Sequence, residues 1–111
     1  MIVLILSILG CAKDDIDLSR DDINERYNKG LELLKKRKYY RSQEHFQYVL
    51  LRGRHTDIGD DAQFHLAEAY YFNEEYDIAI SEFDKLIRQM SFSPHVRLSR
   101  YRICQSYEKS S

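Results

Sequence analysis

Tyr39, Ser42, Phe46, Val49 and Leu50 fall on one stripe at helical spacing, with charged and amide residues between them. That pattern predicts a helix over 39–52, with Gly53 as its stop. The stretch before it predicts another helix over roughly 20–36, with Ser19 as its cap and Asp22 three residues later completing a capping-box pattern. "RGRHTDIGD" follows as a loop, and a second pair of helices is expected over 59–73 and 76–89. In "SFSPH" Ser93 reads as an N-cap and Pro94 as the first helical position, where a missing N–H costs nothing. A fifth helix then runs to about 108. The first ten residues, "MIVLILSILG", break the pattern because they are apolar throughout.

The helices repeat. Gly30, Ala67 and Cys104 are spaced by 37 residues, and so are Leu33, Tyr70 and Tyr107. The same shift relates Tyr39 to Tyr76, Ser42 to Ala79, Phe46 to Phe83 and Val49 to Leu86. Small residues meet small and large apolar residues meet large, in fixed order. Two antiparallel helices in close contact need a small residue where they cross and large ones around it. Ala67 and Ala79 mark that approach in the second unit, with Tyr70, Tyr76 and Phe83 filling the space beside it. Cys104 occupies the slot of Gly30 and Ala67, so it is expected to pack as a small hydrophobe.

"LAEAYYFNEEYDIAISEF" and, more loosely, "KGLELLKKRKYYRSQEHF" resemble the tetratricopeptide repeat. The resemblance implies an all-α fold of helical hairpins stacked in a right-handed α-solenoid, with repeats at about 20–56 and 57–92 and a partial one at 93–111. Residues beyond the usual period fall in the inter-repeat loop, where insertions are tolerated.

Composition narrows the function. Of 111 residues, 32% are charged, yet the formal net charge is -1, so no basic field points to nucleic acid. Four Gly and one Pro suit continuous helices. Cys11 and Cys104 form no disulfide framework. The histidines at 45, 55, 65 and 95 show no metal-ligand spacing, and His45 and His65 are expected in solvent. The acidic pairs at 21–22 and 60–61 lie at helix starts, where they complement the helix dipole. No phosphate loop, nucleophile elbow or nucleophile–base constellation can be named, so no catalytic residue, metal or cofactor is expected.

Residues 1–10 are far short of the roughly 20 needed to span a bilayer, and suit a signal-peptide core. Gly10-Cys11 at their end resembles the bacterial lipobox, with Ile8 in its Leu position. The resemblance implies cleavage before Cys11, lipidation of that Cys, and a polar tether over 11–19. Ala12 resembles the pattern that sends lipoproteins on to the outer membrane. No Lys or Arg precedes the apolar run, which an upstream start would explain.

First helices line the inner groove of such arrays. The positions left free by the core are Tyr27, Leu31 and Leu34 in the first unit and Phe64, Glu68, Tyr71 and Phe72 in the second. Aromatics on a concave face suit an extended peptide, and packing against the neighbouring repeat is the alternative.

Lipobox, tether and tetratricopeptide repeats together, with "DDAQFHLAEAYY" and "EYDIAISEFDKLIRQ…SP", resemble the N-terminal half of the BamD family of outer-membrane β-barrel assembly lipoproteins. The resemblance implies a lipid-anchored subunit on the periplasmic face of the outer membrane. Its partners would be unfolded outer-membrane proteins and other subunits of the assembly complex, a BamA-like insertase among them. The N-terminal repeats would serve substrate recognition. Ending on a first helix leaves its second-helix partner absent, so a longer protein is expected. Another tetratricopeptide envelope lipoprotein, a pilotin or a division or cell-wall scaffold, is the alternative.

Overall fold

A computed structural model describes residues 22–111; the apolar decamer, Cys11, the tether and the Ser19 cap lie outside the described residues. Among the described residues there are five α-helices and no strand. They are α1 over 22–35, α2 Tyr39–Gly53, α3 Gly59–Phe72, α4 Tyr76–Gln89 and α5 Val96–Ser110. α2, α3 and α4 keep their predicted boundaries to within one residue.

α5 starts at Val96, two residues later than expected. The N-cap is therefore His95 and not Ser93, and no side chain caps the helix; the Ser93 Oγ accepts the His95 N–H at 3.1 Å within the turn that precedes it. The first turn is a tight one, with Val96 N–H donating to the Ser93 carbonyl at 3.3 Å, and regular helix follows it.

α1 and α3 end in the same way. Lys38 N–H donates to the Leu33 carbonyl at 2.8 Å and Arg37 N–H to that of Leu34 at 3.0 Å. One unit on, Glu75 N–H donates to the Tyr70 carbonyl at 2.9 Å and Glu74 N–H to that of Tyr71 at 3.0 Å. These paired bonds make a Schellman motif, which sets the residue between them in the left-handed region. Arg37 and Glu74 hold that place, each with φ of 63°. The backbone thus repeats at the same 37-residue interval as the side chains.

Each hairpin closes on one slot. In the first, Phe46 of α2 is fully buried against α1, 6.0 Å from the Tyr27 ring at an interplanar angle of 57°. In the second, Phe83 of α4 lies 5.9 Å from the Phe64 ring of α3 at 60°. Gly30 and Ala67 are the small residues beside those rings. A Cβ on Gly30 would come within 2.6 Å of Phe46, so the first slot admits only glycine without a shift of the ring. Gly59 is needed for another reason, since a Cβ there would collide with the Arg54 carbonyl of the loop.

The slots join into two clusters. Ile23, Phe46, Val49, Leu50, Ala62 and Leu66 form one. Phe64, Ala67, Tyr71, Ala79, Phe83, Leu86 and Met90 form the other, with Val96 and Ile103 of α5 packed against it. Tyr70 packs against both. α3 packs on α2 and α4 and touches α5, while α4 packs on α5. The first helices α1, α3 and α5 therefore form one layer, with α2 and α4 behind it. This is an all-α stack of helical hairpins, about two and a half repeats long, in the arrangement of a tetratricopeptide-like solenoid.

Cys104 departs from expectation. It is exposed rather than buried, and Tyr107 is 60% exposed. Their counterparts Gly30, Ala67 and Leu33 are covered by the second helix of their own unit. Among the described residues no helix follows α5 to do the same.

Relieving the left-handed residue tests the twin motif. Arg37→Gly and Glu74→Gly should each raise stability by about 0.5–1 kcal/mol in urea unfolding, because a Cβ is strained in that conformation. The two gains should add, since the turns share no partners.

Candidate functional site

The first-helix layer presents one row of side chains per turn. The 37-residue shift sets His65 beside Arg102, and Glu68 beside Gln105. Glu68 accepts from Arg102 Nη2 at 3.4 Å and pairs with His65 Nδ1 at 3.2 Å. Arg102 Nη1 donates to Gln105 Oε1 at 2.8 Å. The Arg102 guanidinium also lies over the rings of Tyr71, at 5.1 Å, and Phe72, at 5.4 Å. A cation over aromatic faces gains from the ring quadrupole, most of all where water is scarce. The Glu68 side chain is only 12% exposed, so this pair is less screened than an open surface bridge.

The expected groove residues divide. Phe64 is buried, stacked on the His95 ring at 4.3 Å and 10°, and edge-on to Phe83. Tyr71 is buried too, T-shaped against Tyr76 at 5.7 Å. Both are core residues and not groove contacts. α5 and the loop before it cover this side of α3, so more of its surface is consumed than one hairpin would take. Glu68 is half-buried and committed to Arg102 and His65. Tyr27 is half-buried against Phe46. Leu31 and Leu34 are half-buried, and Phe72 is 42% exposed.

Leu31, Leu34 and Phe72 do come together. With Tyr39, Lys35 and Arg37 they line a depression of about 280 Å³ between the ends of α1 and α3. Its wall is the Tyr39 ring, stacked on Phe72 at 6.0 Å and 27°. The floor is apolar, and two cationic side chains stand at the rim. A larger hollow of about 680 Å³ along α1 is lined by charges of both signs, several already paired, as Arg26 with Asp22 and Lys29 with Glu32.

The histidines also differ from expectation. His65 is half-buried among rings, at 6.1 Å from Tyr27, 5.9 Å from Phe46 and 5.3 Å from Phe64. His45 is half-buried, and its Nδ1 has no hydrogen-bond partner. Burial pushes the His45 imidazole below its ordinary value, and Arg26 adds to the shift. His95 Nε2 pairs with Asp61 at 2.7 Å, while Ser93 Oγ donates to Asp60 at 2.6 Å. Asp60, Asp61 and His95 offer donor atoms within 4.8 Å of one another, a set that could ligate a divalent cation. Their hydrogen bonds to one another and to Ser93 already satisfy them, and in that role they clamp the start of α3 to the loop before α5.

Those two aspartates act on Tyr27. Burial first, then the charges of Asp61 and Asp60, push its hydroxyl up to about 12. Among the described residues no Ser or Thr hydroxyl and no Cys thiol is hydrogen-bonded to the ring of His65 or His95. The arrangement is one of rings, an ion pair and a shallow apolar hollow.

The sequence by itself does not mark Arg102, His95 or Tyr39 as site residues. The repeat shift could have found Arg102 opposite His65, and Tyr39 lies two residues beyond the left-handed turn that brings it to Phe72.

The fold and this face define a tetratricopeptide-like helical-repeat protein. No protein-family model matches the chain, and no curated protein is significantly similar to it.

Two measurements check the site. Unfolded tyrosine ionises near 10, whereas Tyr27 holds its proton to about 12. Between these values the unfolded chain gives up a proton that the folded one keeps, so stability falls as pH rises. Tyr27→Phe should flatten that part of the alkaline decline in chemical unfolding. A double-mutant cycle with Glu68→Gln and Arg102→Met should return a coupling of about 1 kcal/mol.

Proposed function

We propose that the chain is a binding scaffold that holds an extended segment of another protein on its first-helix face. The observation that carries this reading is the hollow formed by Leu31, Leu34, Tyr39 and Phe72, with Lys35 and Arg37 at its rim. Phe72 is 42% exposed although it stacks on Tyr39, so it offers a rigid aromatic edge at little entropic cost. The hollow suits one aromatic or aliphatic side chain, and the rim suits a carboxylate beside it. Glu68, His65 and Arg102 brace α3 against α5 and keep the face in register.

The setting we infer follows the family resemblance. The chain is a lipid-anchored subunit of outer-membrane β-barrel assembly, tethered through Cys11. The bound segment belongs to an unfolded outer-membrane protein, and a BamA-like insertase is the partner subunit. "DDAQFHLAEAYY" and the Gly10-Cys11 junction support this reading.

Binding of fluorescently labelled peptides from unfolded outer-membrane proteins tests it by anisotropy. Leu31→Asp with Phe72→Ala should weaken binding at least tenfold, about 1.4 kcal/mol, with helix content unchanged by circular dichroism. Unaltered affinity would remove this hollow from the reading.

A further inference from the structure

The turn between α1 and α2 is the densest run of cations in the chain. Lys35, Lys36, Arg37, Lys38 and Arg41 put five of them within seven residues, and all five are exposed. Among the described residues only Lys36 of this set has an ion-pair partner, Glu32 at 2.8 Å. Tyr40 stands between them and is 67% exposed. The same turn one unit on is acidic, with Glu74, Glu75 and Asp77. The contrast extends to the whole hairpins. Residues 22–53 carry eight Lys and Arg against four carboxylates, a net of +4, whereas residues 59–89 carry two against eight, a net of -6. Lys35 and Arg37 stand at the hollow, which Lys36, Lys38, Tyr40 and Arg41 do not line. Those four form an exposed cationic tip with one aromatic ring.

We propose that this tip is a membrane contact, which seats the first hairpin on the phosphates of anionic lipid headgroups. Each Lys or Arg beside a negatively charged bilayer tightens binding about fivefold. Tyrosine favours the same interface, where its ring meets lipid and its hydroxyl meets water. A lipid surface suits the tip better than an acidic protein segment, because the tip is a protruding turn and the hollow beside it is the place that can enclose a side chain. The proposal rests on the anchor inferred above. Ten residues separate Cys11 from α1 and span at most about 36 Å, and α1 is about 21 Å long, so the tip is within reach of the leaflet that holds the lipid. A single acyl chain attaches a protein only marginally, and a cationic patch is a second signal that makes attachment stable. The contact is edge-on: the basic first hairpin faces the surface, and the acidic second hairpin is held away from it.

The probe is vesicles of equal parts phosphatidylcholine and phosphatidylglycerol, set against vesicles of phosphatidylcholine alone. Apolar binding through residues 1–10 is common to both and cancels in the comparison. The chain has no tryptophan, so Tyr40→Trp supplies a single indole. In the full, unlipidated chain it should bind the anionic vesicles at least tenfold more tightly than the neutral ones, with its emission shifted to the blue. Added salt should erase the preference. Lys36→Gln with Lys38→Gln and Arg41→Gln should remove it as well, whereas Arg88→Gln with Arg97→Gln and Arg100→Gln, three exposed cations outside the tip, should leave it in place. Circular dichroism checks the fold of both variants. A preference that survives the first triple substitution, or falls equally with the second, would overturn the proposal. So would Ile78→Trp on α4 shifting to the blue as far as the indole at position 40, since the surface would then lie on the wrong hairpin. Polyglutamate that binds the tip more tightly per charge than the vesicles do would assign it to an acidic protein segment instead. No arm uses the lipid on Cys11: a chain that carries no lipid in cells removes the anchor and leaves these results standing.

Discussion

The rings of Phe46 and Phe83 each sit between a small residue and an aromatic ring of the helix before them, and the spacing of the whole stack follows from that fit. Gly30 leaves no room for even one more carbon beside Phe46. The two helices of a hairpin are therefore held at contact distance, and their remaining apolar residues fall into register. Protein interiors are packed to crystal density, so a slot of this kind admits few solutions. That is why the ring pairs of the two units have nearly the same separation and tilt. The Schellman turns at Arg37 and Glu74 reverse the chain at the point this register demands, and the local strain of a left-handed residue is outweighed by the burial it permits.

Between units the binding is more polar. Glu68, His65 and Arg102 link α3 to α5, and the Asp60, Asp61, Ser93 and His95 group links the start of α3 to the loop before α5. Ser93 is buried and the other groups are half-buried, with Arg102 Nε left without a partner, so these links give orientation more than raw stability. The first-helix layer is tied together at α3, where these links converge. It is more open between the ends of α1 and α3, where Leu31, Leu34 and Phe72 surround the hollow.

The repeat itself was legible in sequence because helical period and small–large alternation survive in side-chain identity. Ser42 and Ala79, or Phe46 and Phe83, announce the same geometry at the same interval. The site was legible only in part. Phe64 and Tyr71 read as free because a single hairpin would leave them so, but α5 and its preceding loop bury them. Tertiary neighbours from the next unit cannot be counted from one helix face. His65 read as solvated from its polar sequence neighbours, while its spatial neighbours are Tyr27, Phe46 and Phe64. Cys104 failed in the opposite sense, since the slot it marks is real but is left uncovered among the described residues. The missed clue was the row Tyr27, Phe64, Tyr101, which repeats at 37 residues as faithfully as the small residues do.

Aromatic nuclear Overhauser contacts in the folded protein test the repeated slot most directly. Cross-peaks between the rings of Tyr27 and Phe46 and between those of Phe64 and Phe83, at comparable intensity, are the predicted result. The absence of either ring pair, or contacts of Phe83 with the α1 rings instead, would contradict a stack made of two copies of one hairpin.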